Sequence, residues 1–160
     1  EQWRREWQRK CKKKPPLLIK IAPDLSETQK NDVAEVATET KIDGLIVSNT
    51  TIFRPKSLQN RFKNEPGGLS GEPLFEVSTR LLGDMYRLTH GKIPLIGVGG
   101  VSTGLQAYAK IKAGASLIQL YSAMVYYGPR IAVRISQELA ELIKKDQFSS
   151  LKEAIGADHN

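Results

Sequence analysis

The sequence predicts an α/β protein: a parallel sheet of four strands, each followed by a helix, the arrangement that makes up half of a TIM (β/α)8 barrel. Three observations predict it. Four short apolar runs recur near positions 17–22, 44–49, 93–98 and 116–121. Segments of helical periodicity separate them, and such alternation implies a parallel sheet covered by helices. The later runs end in polar or glycine residues, at the strand ends where α/β proteins bind ligands: Ser48 and Asn49, Gly99 and Gly100, Tyr121 and Ser122. An open doubly wound sheet of four strands shares these features, but the barrel accounts for more. Barrels often hold a phosphate at the loops after strands 7 and 8, beside a short extra helix. If the four strands are strands 5–8, the Gly99–Gly100 and Tyr121–Ser122 turns fall there, and the AMVYY segment is the extra helix. A half barrel exposes two strand edges and half a core, so it is expected to need a partner half.

The composition excludes several other classes. At 160 residues, 40% hydrophobic and 26% charged, the chain can bury a real core. No apolar run approaches the roughly 20 residues that span a bilayer. The N-terminus is charged and contains tryptophan, unlike a signal peptide. One cysteine, Cys11, can form no internal disulfide, and a reducing compartment is compatible with it. His90 and His159 are far apart with no cysteine nearby, so no metal site is expected. The net charge of +7 is concentrated: residues 1–14 hold seven basic side chains against two acidic ones. The remainder is nearly neutral, and its aromatics do not interleave with basic residues, so nucleic acid is not an expected partner. Two parts follow, a helix end with a basic linker at 1–16 and the body at 17–160. The chain lacks an initiating Met and reads as a fragment or a processed product.

Each element has a local reason. Trp3 and Trp7 are four apart, so they share a helix face expected to dock on the body. Pro15 and Pro16 stop that helix. Leu17–Ala22 reads as a buried strand. Lys20 inside it is costly unless its ammonium reaches an anion or an open site. Ser26 and Gln29 form a capping box for a helix from Glu27 to about Lys41, with Val33, Val36 and Ala37 facing inward. The strand Gly44–Asn49 ends in four polar side chains, Ser48 to Thr51, more than capping requires. Residues 52–73 form a long irregular connection of the kind used as a lid. Gly67, Gly68 and Gly71 close it, permitting close backbone approach. Val77, Leu81, Leu82, Met85 and Leu88 mark the next helix. Then Ile93–Ser122 forms a strand–helix–strand unit, with Leu105, Tyr108, Ala109 and Ile111 as the apolar positions of its helix. Glycines after the strand and free N–H groups opening the helix suit a phosphate. The last long helix, to Lys145, carries Ile131, Val133, Ile135, Leu139, Leu142 and Ile143.

The stretches KIAPDL, IDGLIVSNTT, GGLSGEPL, IPLIGVGGVSTG, AGASLIQLYSAM and IGADH resemble the C-terminal half of dihydroorotate dehydrogenase, of the quinone-dependent class 2. The resemblance covers almost everything after residue 16. It implies an FMN enzyme of pyrimidine biosynthesis that oxidises (S)-dihydroorotate to orotate and passes the electrons to ubiquinone. By motif matching, Lys20 and Ser48 would contact the flavin ring and its surroundings. Gly71, Gly99, Gly100, Tyr121 and Ser122 would hold the ribityl phosphate. Asn49 and Thr50 would contact the substrate, and Tyr121, Val125 and Pro129 would line the quinone tunnel. Arg130 stands where many relatives have a second proline. The implied location is peripheral, on the mitochondrial inner membrane in a eukaryote or the cytoplasmic membrane in a bacterium, with membrane contact made through the N-terminal region.

The family's catalytic serine lies in a loop of the N-terminal half, and no Asn-Val-Ser-Ser-Pro-Asn-like motif occurs here. No catalytic base is therefore assigned in this chain, which is expected to need the N-terminal half as its partner. Two other readings use the same residues. A sugar-phosphate isomerase or aldolase would use the phosphate cup with Lys20 as a Schiff base. A non-enzymatic binding fragment would use the basic N-terminus.

Overall fold

The computed structural model describes residues 2–11 and 15–159; the linker lysines at 12–14 lie outside them. Helix α1 (Gln2–Cys11) leads to β1 (Leu18–Ile21), α2 (Glu27–Glu39) and β2 (Gly44–Val47). After the long connection come a 3-10 turn (Glu72–Leu74), α3 (Phe75–Leu88), β3 (Leu95–Val98), α4 (Gly104–Lys112) and β4 (Ala115–Gln119). Helices α5 (Ser122–Tyr127), α6 (Ile131–Lys145) and α7 (Leu151–Ala154) and a 3-10 turn (Ala157–His159) complete the chain.

The four strands are all parallel and lie in the order β1-β2-β3-β4. That order decides between the two candidate architectures. A doubly wound sheet reverses direction at a switch point, whereas this one never does. With right-handed crossovers, an unreversed order places every connecting helix on one face, as in a barrel wall. The register shows the consequence. Ile19, Leu45, Leu95 and Ala115 form one row across the sheet, and Leu45, Leu95 and Ala115 are buried beneath the helices. Lys20, Ile46, Ile96 and Leu117 form the adjacent row, on the opposite face. That face is uncovered: Lys20 and Leu117 are exposed and Ile46 and Ile96 only half-buried.

The main core joins the covered face to α2, α3 and α4 through Leu45, Leu81, Leu82, Met85, Tyr108 and Ile111. A second cluster, Val101, Ala107, Ile131 and Ile135, seats α6 on α4. The capping box at Ser26 and Gln29 forms as expected. Hydrogen bonds and burial shift two ionisable groups of this layer. Lys30, bonded to Asp84 and Glu27, is held above the usual lysine range. The Tyr108 phenol, buried and donating to Asp146 at 2.6 Å, is pushed up to about 12.

Several sequence expectations are corrected. Leu17, Leu18 and Ile19 are exposed, because among the described residues β1 has a neighbouring strand on one side only. Val36, Leu105 and Val133 face solvent. The inward positions are others: Ala34 and Ala37 in α2, Ala107, Tyr108 and Ile111 in α4, and Ile131 and Ile135 in α6. Trp3 and Trp7 do not dock on the body. Both are exposed and pack on each other, with ring centroids 6.2 Å apart.

Candidate functional site

A cavity of about 790 Å³ opens at the carboxyl ends of the four strands. That volume lies within the roughly 300–1,000 Å³ range of small-molecule sites. Each wall comes from the end of one strand. Lys20 reaches it from β1, on the uncovered face of the sheet, and pairs with no carboxylate among the described residues. Ser48, Asn49 and Thr50 follow β2. The Ser48 amide donates to Val98 O at 3.2 Å and the Asn49 amide to Ile21 O at 2.8 Å, which ties this turn to the strands on both sides. The Ser48 side chain is buried, and its hydroxyl donates to Asn49 O at 3.0 Å. The side chains of Asn49 and Thr50 stay exposed at the cavity.

The connection after Thr51 folds back as a strap. Thr51 and Leu69 form an antiparallel bridge, which brings residues 69–74 to the cavity wall. Asp24 anchors the strap's base: its carboxylate accepts from Thr51 Oγ1 at 2.5 Å and from the Ile52 amide at 3.1 Å. Arg54 holds its middle. The guanidinium donates to the carbonyls of Thr51, Ile52, Lys63, Glu65 and Gly67 at 2.7–3.2 Å. One planar cation thus fixes two stretches of chain that lack regular structure. Arg54→Met is expected to leave the sheet intact and to open residues 55–68 to protease. Limited proteolysis with mapped cleavage sites checks this; an unchanged cleavage pattern would count against the clamp.

The far end of the cavity is glycine-rich. Gly71, Gly99 and Gly100 have φ of 85°, 112° and 72°, in the left-handed region that favours glycine. A Cβ on Gly71 would come within 4.0 Å of the Ser122 Cβ, so the strap and the start of α5 meet here. Ser122 Oγ and Ser70 Oγ are 3.1 Å apart. The Gly100 N–H has no acceptor among the described residues. An unpaired N–H, a pair of hydroxyls and close backbone approach form a cradle whose chemistry suits an oxyanion.

Nine residues singled out in the sequence therefore line one cavity: Lys20, Ser48, Asn49, Thr50, Gly71, Gly99, Gly100, Tyr121 and Ser122. Val125 and Pro129 do not line it; they lie on and just after α5. Tyr126 and Tyr127 do; the sequence places them in the short extra helix and gives them no role at the site.

The model of the dihydroorotate dehydrogenase family matches residues 4–143, which is most of the chain. The chain belongs to the dihydroorotate dehydrogenase family. Among its relatives, dihydroorotate dehydrogenase (quinone) of Azorhizobium caulinodans is 56% identical over 145 residues, covering 91% of this chain and 41% of the relative. The mitochondrial dihydroorotate dehydrogenase (quinone) of Arabidopsis thaliana is 56% identical over 146 residues, covering 91% of this chain and 32% of the relative. The Eimeria tenella enzyme crystallised with ferulenol superposes with a TM-score of 0.90 at 49% identity, over 92% of this chain and 39% of that one. The chain thus spans about two fifths or less of the length of these relatives. The four-stranded sheet corresponds to part of the family's barrel.

Proposed function

We propose that residues 17–160 are the C-terminal half of the FMN-binding barrel of a quinone-dependent dihydroorotate dehydrogenase, with 1–16 as a helix end and linker. The observation that carries the proposal is the convergence of the nine residues on one cavity at the carboxyl ends of the strands. FMN, when bound, supplies the electron acceptor for oxidation of dihydroorotate to orotate and hands the electrons on to ubiquinone. The chain's own groups fit that cofactor. The cradle of Gly71, Gly99, Gly100, Tyr121 and Ser122 suits a phosphate, and Ser48 packs the wall between. Lys20 holds a fixed positive charge in the same cavity, which favours negative charge gathered on electron uptake. The Asn49 side chain offers both a donor and an acceptor, and with Thr50 it would orient the amides and carboxylate of the substrate. An electrostatic role for Lys20 requires no Schiff base.

The quinone would approach beside α5, where Tyr121, Val125 and Tyr126 are widely exposed and Pro129 closes the segment. Among the described residues no helix is long and apolar enough to cross a membrane. Contact with the inner mitochondrial or bacterial cytoplasmic membrane would be made by the N-terminal half. The proton-abstracting serine belongs to that half as well.

Purification of the full barrel carrying this half tests the reading. It is expected to be yellow, with flavin bleached by dihydroorotate and restored by quinone; a protein that takes up no FMN would overturn it. The 160-residue polypeptide alone is expected to show no dihydroorotate turnover in a quinone-reduction assay, and measurable turnover would refute the assignment of the base elsewhere.

A further inference from the structure

Among the described residues Lys110 is the largest completely buried side chain, and no carboxylate pairs with it. Its ammonium donates to Ser78 Oγ at 2.8 Å and to Thr79 Oγ1 at 2.9 Å, and it lies 5.3 Å from the centre of the Phe75 ring. All three partners sit in the first turns of α3, whose N-terminal end is itself positive. A buried cation beside the positive end of a helix, with only neutral partners, lacks its counter-charge. The remaining neighbours are also neutral. A Cβ on Gly97 of β3 would meet the Lys110 stem and Ala115 of β4. Two nearby acids are engaged elsewhere on α4: Glu138 of α6 accepts from the Gly104 amide, and Asp146, just after α6, from the Tyr108 hydroxyl. Asp158 pairs with Lys112.

The hydrogen bonds lead from Lys110 to the glycine cradle. Ser78 Oγ accepts from the ammonium, so its single proton must be donated onward. The acceptors in reach are Gly99 O at 3.3 Å and Phe75 O at 3.1 Å. A carbonyl and the following amide of one trans peptide point in opposite directions. Holding Gly99 O down toward Ser78 therefore turns the Gly100 N–H up and away from α3. That N–H is the one without an acceptor among the described residues, and Gly100 lines the cavity.

We infer that Lys110 is a positioning residue for the phosphate end of the site: through Ser78 it fixes the Gly99–Gly100 peptide, and it supplies a buried positive charge that a bound phosphate neutralises. This rests on the FMN reading given above. Desolvation pulls the Lys110 ammonium down to about 7, so the charge is only half present at neutral pH when the cradle is empty. An anion in the cradle favours the protonated form, and by reciprocity protonation favours the anion. A rise of about one unit in the bound state corresponds to about tenfold in affinity. Affinity is then highest near pH 7 and falls as pH rises from 7 through the bound-state value. Below about pH 6 the phosphate itself takes up a proton and the gain shrinks.

Riboflavin, which is FMN without the phosphate, isolates the effect. In the full barrel at pH 7, binding measured by flavin fluorescence is expected to weaken about fivefold for FMN in Lys110→Met, with riboflavin affinity unchanged. In the unaltered protein, FMN affinity is expected to fall about fivefold between pH 7 and 9, with riboflavin flat, because the ammonium is already half deprotonated at pH 7 in the empty site. This second arm stands even if the variant does not fold. Equal loss for both ligands, or a flat FMN profile, overturns the inference while leaving the FMN reading intact. Unaltered protein that binds neither ligand overturns both.

Discussion

Gly100→Ala is expected to cost about 2–5 kcal/mol of stability and to abolish retention of FMN in the full barrel. The residue stands at φ 72°, and a Cβ there would lie 2.6–2.7 Å from the N, Cα and Cβ of Phe75. Two of those three atoms are backbone, so no rotamer change relieves the clash. The first turn of α3 or the β3 loop must move instead, and both carry the cradle. Gly67→Ala is the internal control. Its φ is 117°, but nothing lies within 4 Å of the added methyl. It should lose only the backbone term, about 1 kcal/mol. Denaturant midpoints compare the two variants, and the flavin absorbance of the purified proteins reads the site. A Gly100→Ala protein that keeps both its midpoint and its yellow colour would remove this peptide from the cofactor site.

The contrast between these glycines shows what the sequence can carry. Gly99 and Gly100 stand directly after an apolar run, and that context marks them as ligand-facing. The parallel sheet follows in the same way from alternation, although the order of its strands does not, and the nine residues named at the cavity lie at strand ends or in the returning strap. What was missed was a matter of facing. Lys110 occupies the last turn of an amphipathic helix, where a lysine usually meets solvent and complements the dipole. Only its position three residues after Ala107 and three before Ala113, both buried, hints that it turns inward. Leu105 misleads in the opposite sense, since it is apolar yet exposed. The apolar run of β1 is exposed for a reason no local pattern contains. Among the described residues β1 has a strand on one side only, so its apolar run lies open. The Arg54 clamp is likewise invisible in the sequence, because its partners are backbone carbonyls and carry no residue signature.

The stability of the cofactor-free protein is expected to rise by about 2 kcal/mol between pH 7 and pH 9, and Lys110 is the cause. Its folded-state pKa is about 7, against 10.5 for an ordinary lysine. Across that interval the unfolded chain binds a proton that the folded chain does not, so raising the pH favours folding. Well below pH 7 both states are protonated, and the full burial cost, on the order of 5 kcal/mol, is present throughout that range. The gain cannot continue indefinitely, because two groups act in the opposite sense. Tyr108 has its pKa raised to about 12, so its contribution is present below pH 10 and lost as pH climbs from 10 to 12. Lys30, also raised, loses its ion pairs to Asp84 and Glu27 above the ordinary lysine value. The three shifts together place maximum stability near pH 10. Thermal unfolding across pH 6–11 reads the curve, and Lys110→Met should flatten its rising limb. A bound phosphate raises the Lys110 pKa, so with FMN present the rising limb should start at higher pH than without it. A rising limb that survives in Lys110→Met would mean that another buried base carries the titration.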